Sequence, residues 1–285
     1  MSRPAPYLIA MHGFSQIDRR NSLIGAFTPA DVNLVTEECE HIALAPGDVL
    51  GRTGEPADWV YFPDGAATSI VDLIGAGRRI EIGLVGREGM IGWPGLLGSQ
   101  TWPHDAIVAI GCASALKVET ARVADLLRVS PRAQALLLAF VQAFTLQMSR
   151  TIGSGLHDPV ERRLARWLLM CRDRLDEDRI EVTHHQLAAS AGVRRATVTD
   201  SLHILEGRGL LRNCRGWVAI LDRPALEALA GDTYGFAEAE YRRMLDRISD
   251  AGATDNGAAG AMAARFDFQS PLPYMKGADV ACDGI

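Results

Sequence analysis

Val182-Thr-His-His-Gln-Leu-Ala-Ala-Ser-Ala-Gly-Val-Arg-Arg-Ala-Thr-Val-Thr-Asp-Ser-Leu-His-Ile-Leu-Glu206 is the stretch on which the fold turns. Thr183 followed by Gln186 is a capping box, in which each side chain satisfies backbone N–H groups left open at a helix start. A helix therefore begins near His184. Ala191-Gly-Val193 supplies a turn with its small residue in the middle, and Arg194 to Glu206 carries apolar residues at Val198, Leu202 and Leu205. That spacing buries one face of a second helix. Two helices joined by a Gly-containing turn read as a helix-turn-helix. Gly207 and Gly209 end the second helix, and Leu210 to Asn213 and Trp217 to Leu221 can pair as a hairpin, or wing, across Cys214-Arg-Gly216.

The unburied side chains of the second helix carry the chemistry. Arg194, Arg195, Thr197, Thr199, Asp200, Ser201 and His203 fall on or beside its open face, with Ala196 between them and both arginines at its start, where helices that read a DNA groove make many contacts. Five arginines (194, 195, 208, 212 and 215) stand against Asp200 and Glu206 here, inside a chain of formal net charge −6. Local basicity in an acidic protein marks a nucleic-acid site, with double-stranded DNA the partner it suits. A helical hairpin with a solvated face would show the stripe, but not the cap, turn, basic face and wing in this order.

These residues resemble the winged-helix signature of the Crp/Fnr family of bacterial transcription regulators. The resemblance implies an α+β chain: an N-terminal antiparallel β-roll like the cyclic-nucleotide-binding jelly roll, a long dimerisation helix, and a C-terminal winged helix-turn-helix. It implies a homodimer that binds DNA sequence-specifically, with RNA polymerase as a further partner and a small molecule as a possible effector. Arg195 is then expected to reach a guanine edge. Arg194, Thr197, the helix start at Thr183 and His184, and the wing arginines Arg212 and Arg215 are expected to hold phosphates. The family pattern places Glu after the first reading arginine and Arg four residues beyond. This chain has Ala196 and Asp200, so its operator differs; Asp200 either accepts from cytosine or pairs with a neighbouring arginine, the second being favoured.

The rest of the chain is consistent with that plan. Its 285 residues suffice for two domains, and 22% charged with 48% apolar residues describe an ordinary globular protein. The apolar run Ala135 to Val141 is too short to cross a bilayer, so no membrane span is expected. Five cysteines (39, 112, 171, 214 and 282) without a C-x-x-C pair suggest cytoplasmic thiols and no iron–sulfur framework.

The expected division is an arm at 1–20, a roll at 21–129, a dimerisation helix and hinge at 130–157, the winged helix at 158–222, and C-terminal helices with a disordered tail at 223–285. Short helices are expected at Asn21 to Phe27 and Asp31 to Cys39. Strands follow at Ile42 to Leu44, Val49–Leu50, Trp59 to Phe62, Thr68 to Ile74, Arg78 to Leu84 and within Ala106 to Val118, at a spacing that suits a sandwich or barrel. Gly86-Arg-Glu-Gly-Met-Ile-Gly92 resembles the approach to the family's phosphate-binding cassette, which makes Gly92, Trp93, Gly95, Leu96 and His104 the effector-pocket candidates. Trp93 stands where family members that bind cyclic AMP have glutamate, and no arginine lies between Arg87 and Arg122. A cyclic phosphate would lack its bidentate partner, so cyclic AMP is not expected to bind in the family's way.

Ser130-Pro131 opens a long helix whose Leu137, Val141, Phe144, Met148 and Ile152 form a heptad seam for a dimer. Gly153-Ser-Gly155 is read as a hinge, and Asp158-Pro-Val-Glu161 as an acidic cap that starts the next helix, with Cys171 as a core thiol on its stripe. Enzyme chemistry finds little support: there is no nucleophile elbow, phosphate loop or paired acid and base. Adjacent His184 and His185 diverge by about 100° on a helix and make a poor chelate, so neither metal nor cofactor is expected. The rival from another class is a ligand-sensing roll whose winged helix is a protein-interaction module.

Overall fold

The computed structural model describes residues 20–75, 78–175 and 179–254. The expected arm at 1–19 and the tail beyond 254 lie outside them.

The roll begins with two short helices, α1 (Ser22–Gly25) and α2 (Pro29–Thr36). Asn21 caps α1, while its amide donates at 2.9 Å to both Pro63 O and Gly89 O, pinning the helix to the strands. Thr28 and Asp31 form a capping box on α2. Seven strands follow: β1 (Glu40–Leu44), β2 (Val49–Gly51), β3 (Trp59–Pro63), β4 (Ala67–Ile74), β5 (Arg78–Val85), β6 (Asp105–Ile110) and β7 (Ala113–Glu119). They make two antiparallel sheets, ordered β1-β7-β3 and β2-β6-β4-β5. In β6 the two-residue period buries Ala106, Val108 and Ile110 and leaves Ile107 and Ala109 partly open, as a strand with one packed face requires. Between β5 and β6 lies the one-turn helix α3 (Trp93–Leu96).

Helix α4 (Thr120–Val129) leads into α5 (Pro131–His157), with Ser130 Oγ accepting from Ala133 N and proline in the first turn, as expected. The hinge expected at Gly153-Ser-Gly155 is absent: α5 runs unbroken through both glycines, and the chain turns at Asp158-Pro159. A helical glycine costs only about 1 kcal/mol, whereas proline drives the residue before it into extended backbone, and Asp158 sits at φ −88° and ψ 143°. Asp158 consequently closes α5 and does not cap α6 (Val160–Arg172); its carboxylate lies 3.3 Å from Arg162.

By length and composition alone α5 could cross a membrane. Instead, its Leu136, Leu137, Phe140 and Phe144 are buried in the roll's core, while Gln142, Thr145 and Ser149 are exposed.

The winged helix contains α6, β8 (Arg179–Ile180), α7 (His184–Ala191), α8 (Arg195–Gly207), β9 (Leu211–Cys214) and β10 (Trp217–Ile220), the strands ordered β8-β10-β9. The α6 stripe, Leu164, Trp167, Leu168, Cys171 and Leu175, is buried, and Cys171 is the expected core thiol. Two more helices follow, α9 (Arg223–Ala230) and α10 (Phe236–Thr254), in the region where C-terminal helices are expected. α10 runs back antiparallel along α5: Phe236 lies under Arg150, Tyr241 beside Phe140, and Ile248 O accepts from Arg132.

Candidate nucleic-acid interface

The capping box is formed, with Thr183 Oγ1 accepting from Gln186 N at 3.2 Å and Gln186 Oε1 accepting from Thr183 N at 2.9 Å. α7 ends on Gly192, whose φ of 63° closes the turn in the left-handed region that glycine enters without strain. α8 follows at once. Val198, Leu202 and Leu205 are completely buried beneath it, and Ser201, expected on or beside the open face, is buried with them because it donates to Glu161 Oε1 at 2.7 Å, fixing α8 on α6.

What the burial leaves outside is the basic face. Arg194, Arg195, Ala196, Asp200 and His203 are exposed, and Thr197 and Thr199 are partly so. Arg194 occupies the N-cap without a side-chain cap bond, so the first-turn N–H groups of this 13-residue helix remain open beside two guanidinium groups. Among the described residues, no acidic side chain pairs with Arg194, Arg195, Arg212 or Arg215. Asp200 likewise forms no ion pair there. The favoured reading of Asp200, a pair with a neighbouring arginine, is thus replaced by an exposed acceptor free to face a partner.

The wing is tighter than expected. Cys214 pairs with Trp217, which leaves a two-residue turn, Arg215-Gly216, with Gly216 at φ 85°. Arg212 and Arg215 are exposed on β9 and at the tip. The Arg179 guanidinium stacks over Trp217 at 4.7 Å, so the β8 edge steadies the hairpin.

His184 differs most from its expected place. Its Nδ1 lies 3.0 Å from Thr199 Oγ1 and its Nε2 3.1 Å from Asn213 Oδ1. With both ring nitrogens occupied inside the protein, the imidazole ties α7 to α8 and to the wing; it is not presented to a phosphate. Thr183 Oγ1 is engaged in its cap as well. Sequence reading missed Asn213 and its partner Glu206, which accepts from Asn213 N at 2.9 Å and fixes the wing to the C-terminal half of α8.

The effector-pocket candidates come together, but around a filled space. Trp93 is buried, 4.6 Å from the Phe144 ring and 5.7 Å from Phe140. Trp102 lies directly on Gly51, where an added Cβ would fall 2.2 Å from the indole. Gly92, at φ 100°, leaves no room for a Cβ, which would fall 2.4 Å from Trp59 O, and at Gly95 an added Cβ would fall 2.9 Å from Ala57 O. Leu96 packs on the core, and His104 lies 3.5 Å from Asp72 at the rim of a shallow apolar depression between Trp93 and Trp102.

Comparison with known proteins bears directly on this arrangement. Residues 162–229 match the family described as Crp-like helix-turn-helix domain. That stretch, from α6 to α9, is a Crp-like helix-turn-helix domain. The chain is 26% identical over 201 residues to a global nitrogen regulator of Nostoc sp. (strain PCC 7120), covering 67% of this chain and 85% of that relative. Among solved structures its fold is similar to FixK2 from Bradyrhizobium japonicum, at a TM-score of 0.59 and 17% identity, over 68% of this chain and 98% of that one. It is also similar to a transcriptional regulator of the CRP family from Thermus thermophilus, at 0.56 and 21% identity, over 67% and 96%. The matched stretch holds the helix-turn-helix and the wing, and Trp93 and Trp102 are buried within the roll.

Proposed function

We propose that this chain acts as a homodimer that binds double-stranded DNA sequence-specifically, its roll holding the winged helices without a cyclic nucleotide. The observation that carries the reading is the pair of exposed arginines at the start of α8, held outward by the buried Val198, Leu202 and Leu205. Arg195, one turn into the groove, presents the planar fork that matches guanine O6 and N7. Arg194, Thr197, the open first-turn N–H groups of α8, and Arg212 and Arg215 on the wing hold phosphates on either side. Asp200 and His203, further along the exposed face, reach the next bases, with Asp200 an acceptor suited to cytosine N4.

Dimerisation is supported by a stripe on α5 at heptad spacing, in which Leu138, Val141 and Met148 are half-buried and Thr145, Ile152 and the following Leu156 are exposed. Ile152 is 61% and Leu156 74% exposed, unusual for such side chains unless a second copy covers them. For the roll, Trp93 and Trp102 fill the space a ligand would take, no arginine lies between Arg87 and Arg122, and Arg79 is paired with Asp105 at 2.7 Å.

The test is binding to random-sequence duplex at two salt concentrations, followed by selection of bound DNA. A steep loss of affinity at the higher salt and recovery of a two-fold symmetric site are expected. No binding at either salt would instead favour a protein-interaction role for the winged helix. Titration calorimetry with cyclic AMP is expected to give no heat of binding, and micromolar affinity would overturn the reading of the roll.

A further inference from the structure

One carboxylate gathers hydrogen bonds from both halves of this protein where their apolar cores meet. Glu81 on β5 accepts hydrogen bonds from three neutral donors on three other elements: Ser69 Oγ of β4 at 2.5 Å, Trp167 Nε1 of α6 at 2.7 Å and Ser190 Oγ of α7 at 2.8 Å. Two of these donors belong to the winged helix, and Ser190 lies in the first helix of the reading motif itself. Around this point Ala67, Leu84 and Ile110 of the roll are buried in the same apolar cluster as Leu187, Leu168 and Leu211 of the winged helix. Gln186 donates to Ala109 O at 3.3 Å, and the side chain of Arg174, four per cent exposed, bonds Glu88 on the loop after β5 at 2.6 Å. Throughout, the arginines of α8 and the wing remain exposed.

We infer that Glu81 is a positioning residue, a latch through which the roll fixes the orientation of the winged helix while leaving its reading face open. This rests on the DNA-binding reading above. A carboxylate only partly open to water, as Glu81 is, leans on the donors it can find, and these three converge only when α6 and α7 are seated on β4 and β5. Swinging the winged helix away strips Trp167 and Ser190 from Glu81 together, so docking is all-or-none and not a gradual slide. The direction of α8 relative to α5 is then set by the roll's sheet. In a dimer, that direction decides whether two reading helices match half-sites one DNA turn apart.

The experiment uses the full chain and its Glu81→Ala and Ser190→Ala variants. Amide hydrogen exchange on the free proteins is read alongside affinity for duplexes carrying one or two copies of the half-site recovered by selection. In Glu81→Ala, exchange in α7 is expected to rise at least tenfold while β1, β3 and β7 keep their protection. The preference for two half-sites over one should fall at least tenfold, with affinity for one half-site within twofold of the parent. Ser190→Ala, which removes a single donor from a partly exposed helix face, should show the same pattern more weakly, and it decides the matter if Glu81→Ala raises exchange everywhere. Unchanged exchange in α7, or an equal loss of affinity on both duplexes, overturns the latch. If the parent binds neither duplex, the DNA reading falls, while the exchange measurement still decides the latch.

Discussion

Arg195 and Arg212 carry the same side chain in different settings. Arg195 opens α8, the helix proposed to enter a groove, whereas Arg212 lies on a wing strand proposed to flank the duplex. Arg195→Ala should therefore lose discrimination at one base pair, worth about 1–3 kcal/mol, and Arg212→Ala should weaken every sequence alike and lower the salt slope by about one. Competition binding on the selected site and on single-base variants separates them; equal loss on operator and random DNA for Arg195→Ala would remove it from the reading role. His184 calls for another measurement. Because it bridges Thr199 and Asn213, His184→Ala and Asn213→Ala should be non-additive in unfolding free energy, with a coupling of about 0.5–1.5 kcal/mol, as expected of a shared hydrogen bond. Simple additivity would dissolve the bridge. The exposed face of α8 was legible because a 3.6-residue period decides it locally. The inward turn of His184 was not, because its partner lies 29 residues further on and no local pattern reports it.

At the scale of elements, α5 separates what a heptad can and cannot say. Leu137, Val141, Phe144, Met148 and Ile152 keep a sound three-four rhythm, yet Leu137 and Phe144 are buried against their own roll and only the others reach toward solvent. A helix with apolar residues on two sides has two stripes at the same period. Sequence spacing cannot tell which one faces the roll, whereas contact with Trp93 settles it for Phe144. Phe144→Glu should hence fail to fold and not yield monomers: truncating such a side chain costs about 3–5 kcal/mol before the unpaired charge is added. The informative variant is Ile152→Glu, which should give a folded monomer by light scattering with an unchanged thermal midpoint. A retained dimer mass would exclude this stripe as the seam. The apolar stripes of α6 and α8 were legible for the opposite reason: each helix buries a single stripe. The aromatic filling of the roll was only half legible. Trp93 at a glutamate position was readable, but the stacking of Trp102 on Gly51 depends on strand pairing across the sheet.

For the molecule as a whole, the domain boundary at 157/158 is a boundary in the chain and not in the packing, since the winged helix completes its core with roll residues. That places an ionisable group between the domains, with a consequence in pH. Burial pushes the Glu81 carboxyl up from its ordinary value of 4.5, and the bonds from Ser69, Ser190 and Trp167 and the nearby Arg166 oppose this without cancelling it. Of the other titratable groups around it, Cys171 is held neutral because burial pushes its thiol well up, and Arg166 keeps its charge. An acid whose folded pKa lies above the unfolded one binds more protons when folded. Its stabilising contribution is complete below about 4.5 and is lost as pH rises through the folded value. Other carboxylates act in the opposite sense, so the contribution is isolated by difference. Relative to Glu81→Gln, whose amide does not titrate, the parent should lose stability as pH rises from about 4.5 toward neutrality. Urea midpoints of the two proteins at a series of pH values measure this directly. A difference that stays constant across the series would mean that Glu81 titrates alike in folded and unfolded chains, and the interdomain carboxylate would then have to be fully open to water in solution.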